Sequence, residues 1–113
     1  MNLAELIERF DLKVFSERPE MSRTIGGGYA SDLLSDVIAH GQKDQLWITI
    51  QIHPNIIAVA VLKELAAIVL VNGREPAAET VARAEKERVP IFGTPLSAFE
   101  FAGRLYGQGI KEK

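Results

Sequence analysis

A chain of 113 residues has the size of one domain and can bury a core without metal or disulfide staples. Its 47% hydrophobic and 25% charged residues, with a formal net charge of -2, describe a globular protein and exclude both a disordered chain and a basic nucleic-acid binder. The absence of cysteine removes disulfides, thiolate metal sites and cysteine nucleophiles together, and is compatible with a reducing compartment.

The first ten residues, MNLAELIERF, mix acidic side chains into the apolar ones. They read as an amphipathic helix over 2–10, with Leu3, Leu6, Ile7 and Phe10 on one side, and not as a signal peptide. The segment 12–16, LKVFS, alternates like a strand, and the charged, proline-containing 17–23 closes it as a loop. Three glycines, Gly26, Gly27 and Gly28, then precede an amphipathic helix over 31–40 that turns Leu33, Leu34, Val37 and Ile38 inward.

From position 46 a pattern repeats: an apolar β-branched run, a polar turn with a proline, a helical stretch. The strands are expected at 46–50, 67–71 and 90–93, followed by Pro54, Pro76 and Pro95, and proline is favoured in the first turn of a helix. Three βα units of this kind, the middle strand continuously apolar, predict right-handed crossovers. The fold class is a single small α/β domain, with a mainly parallel sheet built from repeated βα units and helices on both faces. The strand order is open.

The helices differ in what they hide. Residues 77–88 turn Ala77, Val81 and Ala84 inward and place Glu79 and Arg83 for an i,i+4 pair. Residues 54–62 are apolar all round apart from Asn55. Such a helix is buried on both sides or pressed against a partner. In 96–106 a narrow polar stripe of Ser97, Glu100 and Arg104 leaves more than half the circumference apolar, which exceeds what one sheet face covers. Either a second copy of the chain or the N-terminal helix is expected over it, so the apolar helices 54–62 and 96–106 are the candidate surfaces of a homodimer. Gly107 and Gly109 end the helix, and 111–113 read as a solvated tail. The longest apolar segment, 56–71, is broken by Lys63 and Glu64 and falls short of the about 20 residues of a membrane helix, so a soluble, cytoplasmic protein is expected.

No catalytic constellation emerges. The glycines lack the lysine of a phosphate-binding P-loop, and the dinucleotide fingerprint fails at its third glycine, where Ser31 stands. What is left to Gly27 and Gly28 is backbone N–H contact with an anion ahead of a helix, against a plain hinge with Ser31 or Asp32 as the N-cap. Asp32 weighs for the hinge. His53 has no acidic residue within four positions and no metal-ligand spacing, so it reads as a loop imidazole that orients a turn or touches a ligand. Asp32, Asp36 and Asp44 read as solvated surface.

Jointly the loops leaving the strand C-termini say more. In an open parallel sheet they line a shared crevice, where ligands bind at a topological switch point. Here they bring His53, Asn55, Asn72, Gly73, Arg74 and Thr94, with Arg74 as the natural partner of a phosphate. Asn72-Gly73 also reads as a simple turn, and Thr94 as an N-cap.

The blocks 33–37 (LLSDV), 52–56 (IHPNI), 71–76 (VNGREP) and 89–97 (VPIFGTPLS) resemble the DRTGG domain family, over about residues 24–108. Members of that family are small α/β modules, found alone or attached to phosphotransacetylase-like proteins and CBS-containing pyrophosphatases, and similar to the N-terminal domain of HPr kinase/phosphorylase. The resemblance implies a regulatory or dimerisation module. We therefore expect a non-catalytic domain with no cofactor and no metal, binding a small phosphorylated ligand such as an adenine nucleotide at the strand ends. An enzyme acting on a phosphorylated metabolite, with His53 and Arg74 as actors, and a scaffold that binds only protein are the alternatives.

Overall fold

The computed structural model describes residues 1–16 and 20–112, so the start of the expected loop at 17–19 and the last tail residue lie outside the described residues. Asn2 opens α1 (Leu3–Phe10) by a reciprocal cap, its side chain accepting from the Glu5 N–H while the Glu5 carboxylate accepts from the Asn2 N–H. Then follow β1 (Lys13–Ser16), β2 (Gly27–Ala30), α2 (Leu34–His40), β3 (Gln45–Thr49), α3 (Asn55–Lys63), β4 (Ala67–Leu70), α4 (Ala78–Glu87), β5 (Ile91–Gly93) and α5 (Ala98–Gly107).

The sheet order is β1-β5-β4-β3-β2. Strands β2 to β5 are parallel, and β1 runs antiparallel to β5, opposing Lys13 to Gly93 and Val14 to Phe92, so the sheet is mixed. Each crossover moves one place along the sheet in the same direction. Right-handedness then puts α2, α3 and α4 side by side on one face. That face is packed by Trp47, Ile68, Leu70 and Ile91 against Val37, Ile56, Ile57, Ala60 and Ala84. The opposite side chains, Leu46, Ile48, Val69 and Phe92, pack against Leu3 and Leu6 of α1 and Phe101 and Leu105 of α5. The period-two alternation of the strands thus sorts one apolar run into two cores. Among the described residues no helix is long and apolar enough to cross a membrane.

The glycine stretch is not a hinge. Gly27 and Gly28 belong to β2, the edge strand, which adds a fourth βα unit ahead of the three expected. Their role is read from the C-terminal segment, which is docked where a solvated tail was expected. Ile110 packs on the α1/α5 side, the Lys111 carbonyl accepts from the Gly28 N–H at 2.7 Å, and the Glu112 carbonyl accepts from Gln45 Nε2 at 2.5 Å. A Cβ on Gly27 would lie 2.6 Å from the Glu112 oxygen. Only glycine lets the tail fold around this edge. Gly27→Ala is expected to dislodge residues 110–112 and to lower stability by ~1–3 kcal/mol through the two orphaned groups. Urea unfolding measures the loss, and a Gly28 amide still protected from hydrogen exchange in the variant would contradict the assignment.

Helix boundaries move for related reasons. The helix expected from residue 31 begins at Leu34, because Ser31 and Asp32 are held by β3 and neither is its N-cap. Thr94 does not cap α5 either; Ser97 does, its Oγ accepting from the Glu100 N–H. Among the described residues Glu79 and Arg83 form no pair, unlike Glu100 and Arg104, whose Oε2 and Nε lie 3.3 Å apart. The over-apolar α5 is covered in part by α1: Phe10 meets Phe101 edge to face at 5.2 Å, and Arg9 donates to Gln108 at 2.8 Å. Phe99 and Tyr106 remain exposed. Helix α3 buries Ile56, Ile57, Val59 and Ala60 and leaves Val61 and Leu62 outside.

Candidate ligand-binding site

The parallel strands run in one monotonic order, so the expected switch point does not arise from strand order. It arises from the helices. The chain leaves β4 toward α4 on one face and leaves β5 toward α5 on the other, so the two loops part at neighbouring strand ends. Antiparallel β1 adds its own beginning to the same corner, because Lys13 pairs with Gly93.

The β4 loop is built on a tight turn. Asn72 and Gly73 both have positive φ, 58° and 67°, and the Arg74 N–H donates to the Val71 carbonyl at 3.1 Å, the pattern of a two-residue turn that favours Asn-Gly. The Asn72 and Gly73 N–H groups donate to the carbonyls of Leu96 and Thr94 at 2.8 and 2.9 Å. These bonds stitch the β4 loop to the β5 loop. They also consume the Asn72 and Gly73 N–H donors, as the turn bond consumes that of Arg74.

A pocket of about 140 Å³ opens here, lined by Asp11, Lys13, Phe15, Gly73, Arg74, Glu75, Gly93, Thr94 and Pro95. Gly93 forms part of its floor, and a Cβ there would lie 2.6 Å from the Phe15 ring, so the glycine lets that ring lie against the strand. The Lys13 ammonium stands over Phe15, 5.1 Å from the ring centre, and 3.7 Å from Glu75, an exposed pair of small energetic value. Thr94 is buried, and its hydroxyl accepts from the Leu96 N–H at 3.2 Å. The Arg74 side chain is exposed and has neither a hydrogen bond nor an ion pair among the described residues. A guanidinium held out by a tight turn at a pocket mouth suits a bidentate anionic partner.

Of the residues singled out by sequence, Gly73, Arg74 and Thr94 come together, and Asn72 sets their turn. His53 lies on the β3 loop and Asn55 opens α3, and neither lines this pocket; both are exposed, and the His53 carbonyl accepts from the Ile56 N–H. Gly27 and Gly28 lie in the edge strand β2, across β3 from β4. Sequence reasoning missed Asp11, Lys13 and Phe15. The segment 12–16 that carries Lys13 and Phe15 was legible as a strand, and Asp11 caps the end of α1 just ahead of it, but nothing local places either beside β5.

The three aspartates are scattered, and among the described residues no three His, Asp or Glu side chains converge to hold a metal ion. Asp32 accepts from the Thr49 hydroxyl and from the Ile50 N–H, both at 2.9 Å, and so closes the end of β3. Asp44 pairs with Arg23 at 2.7 Å. The Asp36 carboxyl is held below the usual carboxylate range by hydrogen bonding from Ser31 first, then from the Tyr29 hydroxyl at 2.9 Å, with His40 adding to it. A carboxyl shifted down stabilises the fold above its unfolded-state value and loses that contribution as pH falls through its folded value. Asp36→Asn is therefore expected to flatten the acid side of the stability curve below the ordinary carboxylate range. Urea midpoints measured against pH check this, and parallel acid limbs for the two proteins would contradict it.

No protein-family model and no curated protein matches the chain. Among solved structures it is similar to the CBS and DRTGG domains of the regulatory region of Clostridium perfringens pyrophosphatase, complexed with the activator diadenosine tetraphosphate. The TM-score is 0.78 at 16% identity, over 97% of this chain and 47% of that one. The chain shares its fold with part of that regulatory region. At this identity the likeness is one of fold, and the chain spans about half the length of the structure it matches. A DRTGG-like fold is also what the blocks between residues 24 and 108 imply.

Proposed function

We propose that the chain is a non-catalytic regulatory module that binds a small phosphorylated ligand, an adenine nucleotide in the first instance, in the pocket at the ends of β4, β5 and β1. The observation that carries this is the unpartnered Arg74 guanidinium at a pocket walled by Phe15, Lys13 and Asp11. Arg74 and Lys13 would take phosphate oxygens, the Asp11 carboxylate would accept from ribose hydroxyls, and Phe15 with Pro95 would offer apolar contact to a base. The pocket is smaller than the ~300–1,000 Å³ typical of sites that enclose a whole drug-sized ligand. One part of a nucleotide would be enclosed and the rest would lie over the exposed rim. The structural neighbour, whose regulatory region was solved with a diadenosine polyphosphate activator, supports this class of ligand.

A second reading, association with another copy of the chain, rests on the apolar surface left on α3 and α5. The two readings are compatible in one regulatory domain. The test is a thermal-shift screen of adenine nucleotides, diadenosine tetraphosphate and sugar phosphates. A ligand at ~100 times its dissociation constant adds about 2.7 kcal/mol, on the order of 10 °C in Tm for a domain of this size. An unmoved Tm with every compound would overturn the ligand reading and leave a scaffold.

A further inference from the structure

Helix α5 presents three kinds of surface around its circumference. Phe101 and Leu105 point into the core, and Gly103 lies on the opposite side, where a Cβ would meet nothing within 4 Å. On one flank of Gly103 stand Phe99, 91% exposed, and Tyr106, 59% exposed, seven residues and therefore about 10 Å apart along the axis. On the other flank stand Glu100 and Arg104, paired at 3.3 Å within the helix.

We propose that α5 pairs with α5 of a second copy of this chain, antiparallel, about a two-fold axis that passes between Ala102 and Gly103. This rests on the reading of the chain as a self-associating module. The arrangement of the flanks selects the orientation. A two-fold axis in the interface, perpendicular to the helices, keeps each flank on its own side and reverses its direction, so Phe99 of one copy meets Tyr106 of the other at both ends. The same operation sets Glu100 opposite Arg104 on the charged side, and opposite charges make that flank self-complementary. Parallel pairing would instead lay the aromatic flank against the charged one. Gly103 at the crossing lets the two backbones approach, and the Lys111 ammonium, 5.5 Å from the centre of the Tyr106 ring, leaves that ring's other face to the partner. The competing patch is the outer side of α2 and α3, where Leu33, Ile38, Val61 and Leu62 are exposed. It is aliphatic and carries no such paired pattern.

The absence of cysteine makes the test direct, because an introduced cysteine reports only on itself. Phe99→Cys and Tyr106→Cys chains, mixed in reductant and then oxidised in a glutathione buffer, are expected to form the mixed disulfide in preference to either homodimeric one, and Gly103→Cys to cross-link to itself. All three positions are exposed, so the variants should fold, and light scattering of the unmodified chain across a dilution series gives its stoichiometry. Self-linked Phe99→Cys without the mixed product would overturn the antiparallel arrangement. Cross-linking confined to Leu62→Cys would overturn the α5 interface while self-association stands. A monomer by scattering, with no cross-link at any position, would overturn both.

Discussion

Arg74→Ala is expected to abolish the nucleotide-induced rise in Tm while leaving the ligand-free Tm within the range of a neutral surface substitution, roughly ±0.5 kcal/mol. The second half follows from the structure. The Arg74 side chain is exposed and, among the described residues, unpaired, so truncating it removes no bond the fold uses. The first half follows from the pocket, whose backbone donors at Asn72 and Gly73 are already spent on Leu96 and Thr94. A phosphate arriving there depends on side-chain cations, and one of the two, Lys13, is already engaged with Glu75. Loss of a charge-assisted hydrogen bond costs about 1.5–3 kcal/mol, roughly a 10- to 150-fold drop in affinity. Arg74→Lys keeps the charge and loses the planar fork, so an intermediate shift is expected. His53→Ala, on the β3 loop outside the pocket, should leave the shift unchanged. Isothermal titration of the four proteins measures these differences, and equal affinities for the parent and Arg74→Ala would remove Arg74 from the site.

Trp47→Ala is expected to be the most destabilising substitution of those considered. Trp47 is fully buried on the α2/α3/α4 side of β3, and its indole N–H donates to the Ser31 carbonyl at 2.8 Å. Emptying so large a side chain costs about 3–5 kcal/mol in a core that relaxes only partly. Against a total stability of ~5–15 kcal/mol for a domain, that loss leaves little margin at physiological temperature. Trp47→Phe separates the two contributions, because it keeps much of the volume and strands the Ser31 carbonyl, for ~1–3 kcal/mol. Urea melts followed by circular dichroism give both values. The consequence reaches β2: Ser31 follows that strand directly, so losing the indole bond should loosen the end of the edge strand before the centre of the sheet.

The sheet and the helices were legible in the sequence where one physical signal dominated. The run AIVLV announced a strand buried on both sides, and the spacing of Leu3, Leu6 and Phe10 announced α1. The glycine stretch was misleading because two rules compete there. Glycine signals a turn from its own backbone freedom, but at position 27 its use is the space it leaves for a tail from the far end of the chain. No local pattern contains that contact. The same holds for Asp32, which looked like a helix cap and instead closes β3 through Thr49 and Ile50. In the candidate site, Gly73, Arg74 and Thr94 could be named because strand ends of a parallel sheet converge. Lys13 and Phe15 could not, since the pairing of β1 with β5 is set by tertiary packing across the whole sequence.

The most direct measurement of the ligand-binding claim is a two-dimensional 1H–15N NMR titration of the assigned chain with ADP. The largest shifts are expected at the amides of Lys13, Gly73, Arg74, Gly93 and Thr94, with those of His53, Asn55, Gly27 and Gly28 unmoved. Shifts confined to the β3 loop or to the glycine strand, or a spectrum unchanged at saturating nucleotide, would contradict the account.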